Sequence, residues 1–136
     1  MEINVYKEGL FVGIYTLFIY SLVQLFFKNK NIYLLLFIVG FCKHYSGYFL
    51  GLHHYYCKYG VACMKNKYRT KKTLINSLFL ESILEGFYFI LVGSFLYMFF
   101  YNQQHIFFFG VLGFFIHVFS EMIGIHEYFC QRCNAL

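Results

Sequence analysis

The sequence predicts an all-α integral membrane protein of four transmembrane helices. They are built as two tandem two-helix hairpin repeats, related by a pseudo-twofold axis along the membrane normal. Three observations carry this. Apolar residues make up 60% of the 136 and charged residues only 12%, more apolar surface than a soluble domain of this length can bury, so the bilayer is the expected solvent. The apolar residues fall into four stretches, about 9–27, 32–56, 74–101 and 106–129, each reaching the roughly 20 residues a spanning helix needs. Finally, residues 1–63 laid on 74–136 give 15 identities at one offset (126 − 53 = 73), and self-similarity at a fixed period marks a repeat. The matches include Glu8 with Glu81, Gly13 with Gly86, Gly40 with Gly113, His44 with His117, Gly51 with Gly124, His53 with His126 and Cys57 with Cys130. An apolar compositional bias does not supply such residues.

In chain order, residues 1–8 read as a short polar lead. No small-residue cleavage site follows it, because the only alanines are Ala62 and Ala135, so the first span is expected to be retained. It runs to a tight polar turn at 28–31, and the second span returns to end in His53-His54-Tyr55-Tyr56-Cys57. Residues 1–63 form the first hairpin, 64–73 a basic linker and 74–136 the second hairpin. The third span leaves the linker and turns at Asn102-Gln103-Gln104-His105. The fourth ends in His126-Glu127-Tyr128-Phe129-Cys130. With no proline in the chain, no kink is expected from that cause.

Orientation follows from the basic residues. The loop 57–73 carries Lys58, Lys65, Lys67, Arg69, Lys71 and Lys72, whereas the other two connections hold only Lys28 and Lys30 between them. The positive-inside bias therefore puts this loop and both termini in the cytoplasm, against anionic lipid head groups. The net charge of +5 is a topology signal, and no nucleic-acid partner is expected, because no folded basic surface surrounds the loop. An AT-rich coding bias, seen in abundant Phe, Tyr, Asn, Lys and Ile, fits organellar, viral and cellular membranes alike.

Gly40, His44, Gly47 and Gly51 recur at intervals of four, three and four, one face of a helix, and Gly113, His117, Ser120 and Gly124 repeat the pattern. Small residues in such a row let backbones approach closely in lipid. The second and fourth spans are accordingly expected to meet along these rows, with His44 and His117 in the seam. His53 lies nine residues beyond His44 (53 − 44), which at about 100° per residue puts it half a turn out of phase on a continuous helix.

Two groups of residues are candidates for chemistry. The first is a polar cluster near the midplane, comprising Lys43, His44, Glu81, Glu85, His117 and Glu121. Counted at about 1.5 Å per residue, Lys43, Glu85 and Glu121 lie roughly 16–22 Å into their spans, where an unpaired charge costs several kcal/mol. Lys43 is expected to meet Glu85 or Glu121. The readings are an interhelical ion pair that fixes packing, a proton or ion relay, and a cofactor site. The second group is His53, Cys57, His126, Cys130 and Cys133. Imidazole and thiolate four residues apart on one face suit zinc, with Cys63 and Cys133 as spare ligands. Palmitoylation of juxtamembrane cysteines, an aromatic belt of Tyr and His at head-group depth, and a Cys130/Cys133 thiol redox pair compete with that reading. Disulfides are disfavoured on a cytoplasmic face.

Glycine-rich phosphate loops, nucleophile elbows and metalloprotease histidine pairs are not found, and an enzyme is not the favoured class. The sequence favours a small structural or assembly protein of the membrane, in contact with lipid and forming a homo-oligomer or joining a larger complex. The alternatives are proton, ion or small-solute transport through the polar cluster, and binding of heme by His44 and His117 or of zinc by the His/Cys clusters.

Overall fold

The computed structural model describes residues 3–28, 31–65, 78–130 and 133. The elements there are all helices: α1 (Ile3–Phe26), α2 (Ile32–Phe49), α3 (Leu52–Tyr59), α4 (Val61–Lys65), α5 (Leu78–Phe100), α6 (His105–Met122) and α7 (Ile125–Cys130). Four of them, α1, α2, α5 and α6, are long and apolar enough to cross a membrane. Only 22% to 39% of each is buried inside the molecule, so most of their apolar surface has no partner of its own and suits a lipid solvent. Most of the basic linker, 66–73, and the expected start of the third span at 74–77 lie outside the described residues.

The first span begins earlier than expected. Residues 3–8 are not a polar lead but the opening turns of α1, because Val5 is buried and Glu8 is bonded within the bundle. The second and fourth spans are shorter than expected. The stretch 32–56 breaks after Phe49 and 106–129 breaks after Met122. Gly51 has φ 74° and Gly124 φ 82°, the left-handed region in which an L side chain costs roughly 1–2 kcal/mol and glycine does not. Each helix restarts at once, with the Tyr55 N–H donating to Gly51 O at 2.9 Å and the Tyr128 N–H to Gly124 O at 3.2 Å. Two short helices, α3 and α7, thus follow the spans as separate elements. At the start of α2, Asn31 Oδ1 accepts from the amides of Tyr33 and Leu34, satisfying donors that a helix end leaves open.

The packing pairs the helices crosswise. α1 lies mainly on α6 and α2 mainly on α5, while contacts within each hairpin are fewer. The glycine rows make these crossings possible. A side-chain carbon on Gly13 would sit 2.8 Å from the carbonyl of Gly110, and one on Gly113 would sit 2.7 Å from Thr16 Cβ. On the other pair, Gly40 faces the Phe89 ring and Gly86 the Phe37 ring, each at 2.8 Å. The expected seam between the second and fourth spans is therefore not how the bundle packs. Instead Gly113 meets Gly13 and Thr16 of α1, and Gly40 meets the Phe89 ring of α5. Gly47 borders His53 and Tyr15, Ser120 donates to Tyr88 Oη, and Gly51 and Gly124 are turn residues, not packing residues.

The apolar core sits toward the hairpin turns, where Tyr20 stacks on Phe109 at 4.4 Å among Leu35, Leu36, Val39, Phe89, Phe108 and Leu112. The opposite end of the bundle, beside α3, α4 and α7, is polar.

Candidate functional site

Six carboxylate contacts among the described residues gather at that end. Lys43 on α2 donates from Nζ to Glu85 Oε1 on α5 at 2.9 Å and lies 5.2 Å from the centre of the Phe89 ring. This is the expected Lys43–Glu85 pairing. His44 Nε2 stands 3.5 Å from Glu81 Oε2, an ion-pair distance and longer than a good hydrogen bond. His117 Nε2 donates to Glu8 Oε2 at 3.2 Å, and His126 Nδ1 donates to Glu121 Oε2 at 2.9 Å, since an ionised carboxylate only accepts. Tyr56 Oη donates to the same Glu121 oxygen at 3.4 Å. Glu8 uses its other oxygen to accept the Val61 N–H at 2.9 Å, which ties α4 to α1.

The histidines come in stacked pairs. His44 and His53 have ring centres 4.5 Å apart, and so do His117 and His126. The half-turn phase difference expected on a continuous helix does not occur. The left-handed glycines at 51 and 124 reverse the chain, so that each later histidine folds back over the earlier one. Tyr56 fills the space beside His126 at 5.3 Å and Phe129 the space beside His53 at 5.4 Å, and these two rings meet each other at 5.9 Å. Burial first, and then the negative charges of Glu121 and Glu8, push the Tyr56 phenol well above its ordinary range, so Tyr56 remains a proton donor.

The cluster lies toward one end of the described helices. Because α2 ends at Phe49 and α6 at Met122, Lys43, His44, His117 and Glu121 occupy the final two turns of their spans. Glu81 and Glu85 lie in the first two described turns of α5, and Glu8 in the second turn of α1. The residue that sequence reasoning passed over is Glu8, although its match to Glu81 in the repeat alignment was the available signal. Tyr56 was likewise read only as an interfacial aromatic.

The expected zinc set of His53, Cys57, His126 and Cys130 is not assembled. His126 turns to Glu121 and His53 stacks on His44, while one turn further on the cysteines pair with Cys63 of α4 and with Cys133. There Cys57 is disulfide-bonded to Cys133 and Cys63 to Cys130, against the expectation that disulfides are disfavoured. Cys63 Sγ and Cys133 Sγ approach to 3.8 Å, so the four sulfurs form one group. Nor does the geometry favour heme on His44 and His117, since each of these rings already lies against a second histidine and turns its Nε2 to a glutamate.

No protein-family model matches this chain, and no curated protein or solved structure matches it. The class that stands on the fold is a helical bundle with four candidate membrane spans.

Proposed function

We propose that this chain is a small polytopic membrane protein with a structural or assembly role, made by duplication of one hairpin whose two copies are fastened together by histidine–carboxylate contacts. One observation carries the reading: contacts recur when each partner is exchanged for its repeat mate, 73 positions away in the sequence. Glu8–His117 on α1 and α6 corresponds to Glu81–His44 on α5 and α2. The His44/His53 stack corresponds to His117/His126, and Gly40 against Phe89 corresponds to Gly113 against Thr16. Tyr56 and Phe129, matched positions themselves, touch each other where a pseudo-twofold axis along the membrane normal would run. Each His–Glu contact between spans joins one hairpin to the other. This is what a scaffold needs, because in lipid there is little hydrophobic drive to hold helices together.

The basic residues around α4 and the linker favour a cytoplasmic position for this polar end, with both termini on the same side. The outward aromatic surface, including Phe11, Phe18, Phe87, Phe95 and Phe99, suits lipid and neighbouring protein, either copies of this chain or a larger membrane complex.

A second reading, a proton or ion path, has one observation in its favour: Glu8, His117, His126, Glu121 and Tyr56 form an unbroken chain of titratable neighbours. One experiment separates the two. Full-length protein is placed in liposomes with an internal pH dye, alongside Lys43→Leu/Glu85→Leu and His126→Ala variants. The scaffold reading expects no proton flux above empty liposomes and a monodisperse, assembled double variant. Flux in the wild type that His126→Ala abolishes would replace it with the relay reading.

A further inference from the structure

The four-sulfur group is unused by the scaffold reading. Cys57 comes from α3, Cys63 from α4, Cys130 from α7, and Cys133 follows three residues later, so both halves of the chain contribute two sulfurs. The ligand atoms of Cys63, Cys130 and Cys133 lie within 4.8 Å of one another, and Cys57 is bonded to the third of these. The separation of Cys63 Sγ from Cys133 Sγ, 3.8 Å, equals the edge of a tetrahedron whose zinc–sulfur bonds are about 2.3 Å. Cys63 is buried and the other three are partly buried, and Gly60, Val61 and Ala62, which precede Cys63, are buried too. Four sulfurs so placed complete a zinc shell without water, as closed structural sites do.

We propose that Cys57, Cys63, Cys130 and Cys133, once reduced, are a closed tetrathiolate site for one zinc ion. The metal would pin the chain end and α7 to α3 and α4. This rests on the cytoplasmic position assigned above, because in a reducing compartment the two disulfides do not persist. Opening them takes four molecules of a low-molecular-weight thiol such as glutathione, which leave as two disulfides and give four protein thiols. Zinc then displaces the four thiol protons, and the resulting 2− complex includes Cys57, which Lys58 follows in sequence. Cysteine here is a zinc ligand in one state and a cross-link in the other, and either state joins the same segments.

The test uses full-length protein, purified in detergent from a reducing cytosol-facing membrane with thiol-blocking at lysis. Zinc content and intact mass are read on the same sample, and the side occupied by 66–77 is read from a reporter inserted there. Reduced protein is also titrated with cobalt(II), whose thiolate charge-transfer and tetrahedral ligand-field bands report the site without any variant. The expected result is about one zinc per chain, four fewer alkylated thiols than after chelation, tetrahedral cobalt bands, and retention of zinc in Cys42→Ser but not Cys63→Ser. A cytoplasmic reporter with no zinc, or a mass lighter by four hydrogens, overturns the zinc site alone. A reporter on the opposite side with both disulfides intact overturns the orientation and the zinc site together.

Discussion

At the scale of single residues, the polar end is a set of obligate partners. Lys43 and Glu85 are each mostly shielded, so removing one strands the other. Lys43→Leu or Glu85→Leu alone is expected to cost about 3 kcal/mol, whereas the double Leu variant recovers most of that. Unfolding in graded denaturing detergent, analysed as a double-mutant cycle, measures it. Glu8 carries both the His117 and the Val61 contacts, so Glu8→Ala is expected to cost about 2 kcal/mol. Tyr56 adds a pH dependence. Its folded-state phenol titrates above the unfolded value, so its contribution is whole below about pH 10 and is lost as pH rises beyond that. Tyr56→Phe should therefore cost about 1 kcal/mol at neutral pH and flatten the alkaline limb of a stability curve. A variant with an unchanged alkaline limb would remove Tyr56 from the network. The Lys43–Glu85 pair was legible in the sequence, because two lone charges at similar depth leave each other as the economical partner. The Glu8 pairing is not legible there, because the sequence places Glu8 in a short polar lead ahead of the first apolar stretch.

At the scale of elements, the glycines at 51 and 124 decide where the spans stop. Both glycines have apolar residues on either side, Leu50 and Leu52 at one and Ile123 and Ile125 at the other, so apolar length alone joins α2 to α3 and α6 to α7. The backbone sign of φ, which hydropathy does not contain, separates them. Gly51→Ala and Gly124→Ala are each expected to cost about 1–2 kcal/mol, although an added carbon meets nothing within 4 Å at either site. Thermal unfolding in detergent checks this, and the absence of any cost at both positions would mean the turns are not left-handed. Because those turns stack His53 on His44 and His126 on His117, the same variants should weaken the histidine cluster.

At the scale of the whole molecule, four apolar helices follow from composition and length, and the structure has them. Which helices touch did not follow. Small-residue rows on the second and fourth spans invited a seam between those two. They did not show that the first and third spans carry glycines of their own, with Gly13 against Gly110 and Gly113 on one crossing and Gly86 against Phe37 on the other. The crosswise pairing is the central structural claim, because every contact between His44, His117 and the glutamates of the other hairpin depends on it. Cysteine cross-linking in membranes tests it most directly, in a Cys42→Ser background. A carbon on Gly110 would lie 3.1 Å from Leu17 Cγ, so Leu17→Cys with Gly110→Cys is expected to form an intramolecular disulfide on mild oxidation, while Gly47→Cys with Ser120→Cys stays open. The reverse outcome, a bond between 47 and 120 and none between 17 and 110, would contradict the crosswise bundle and the histidine–carboxylate contacts built on it.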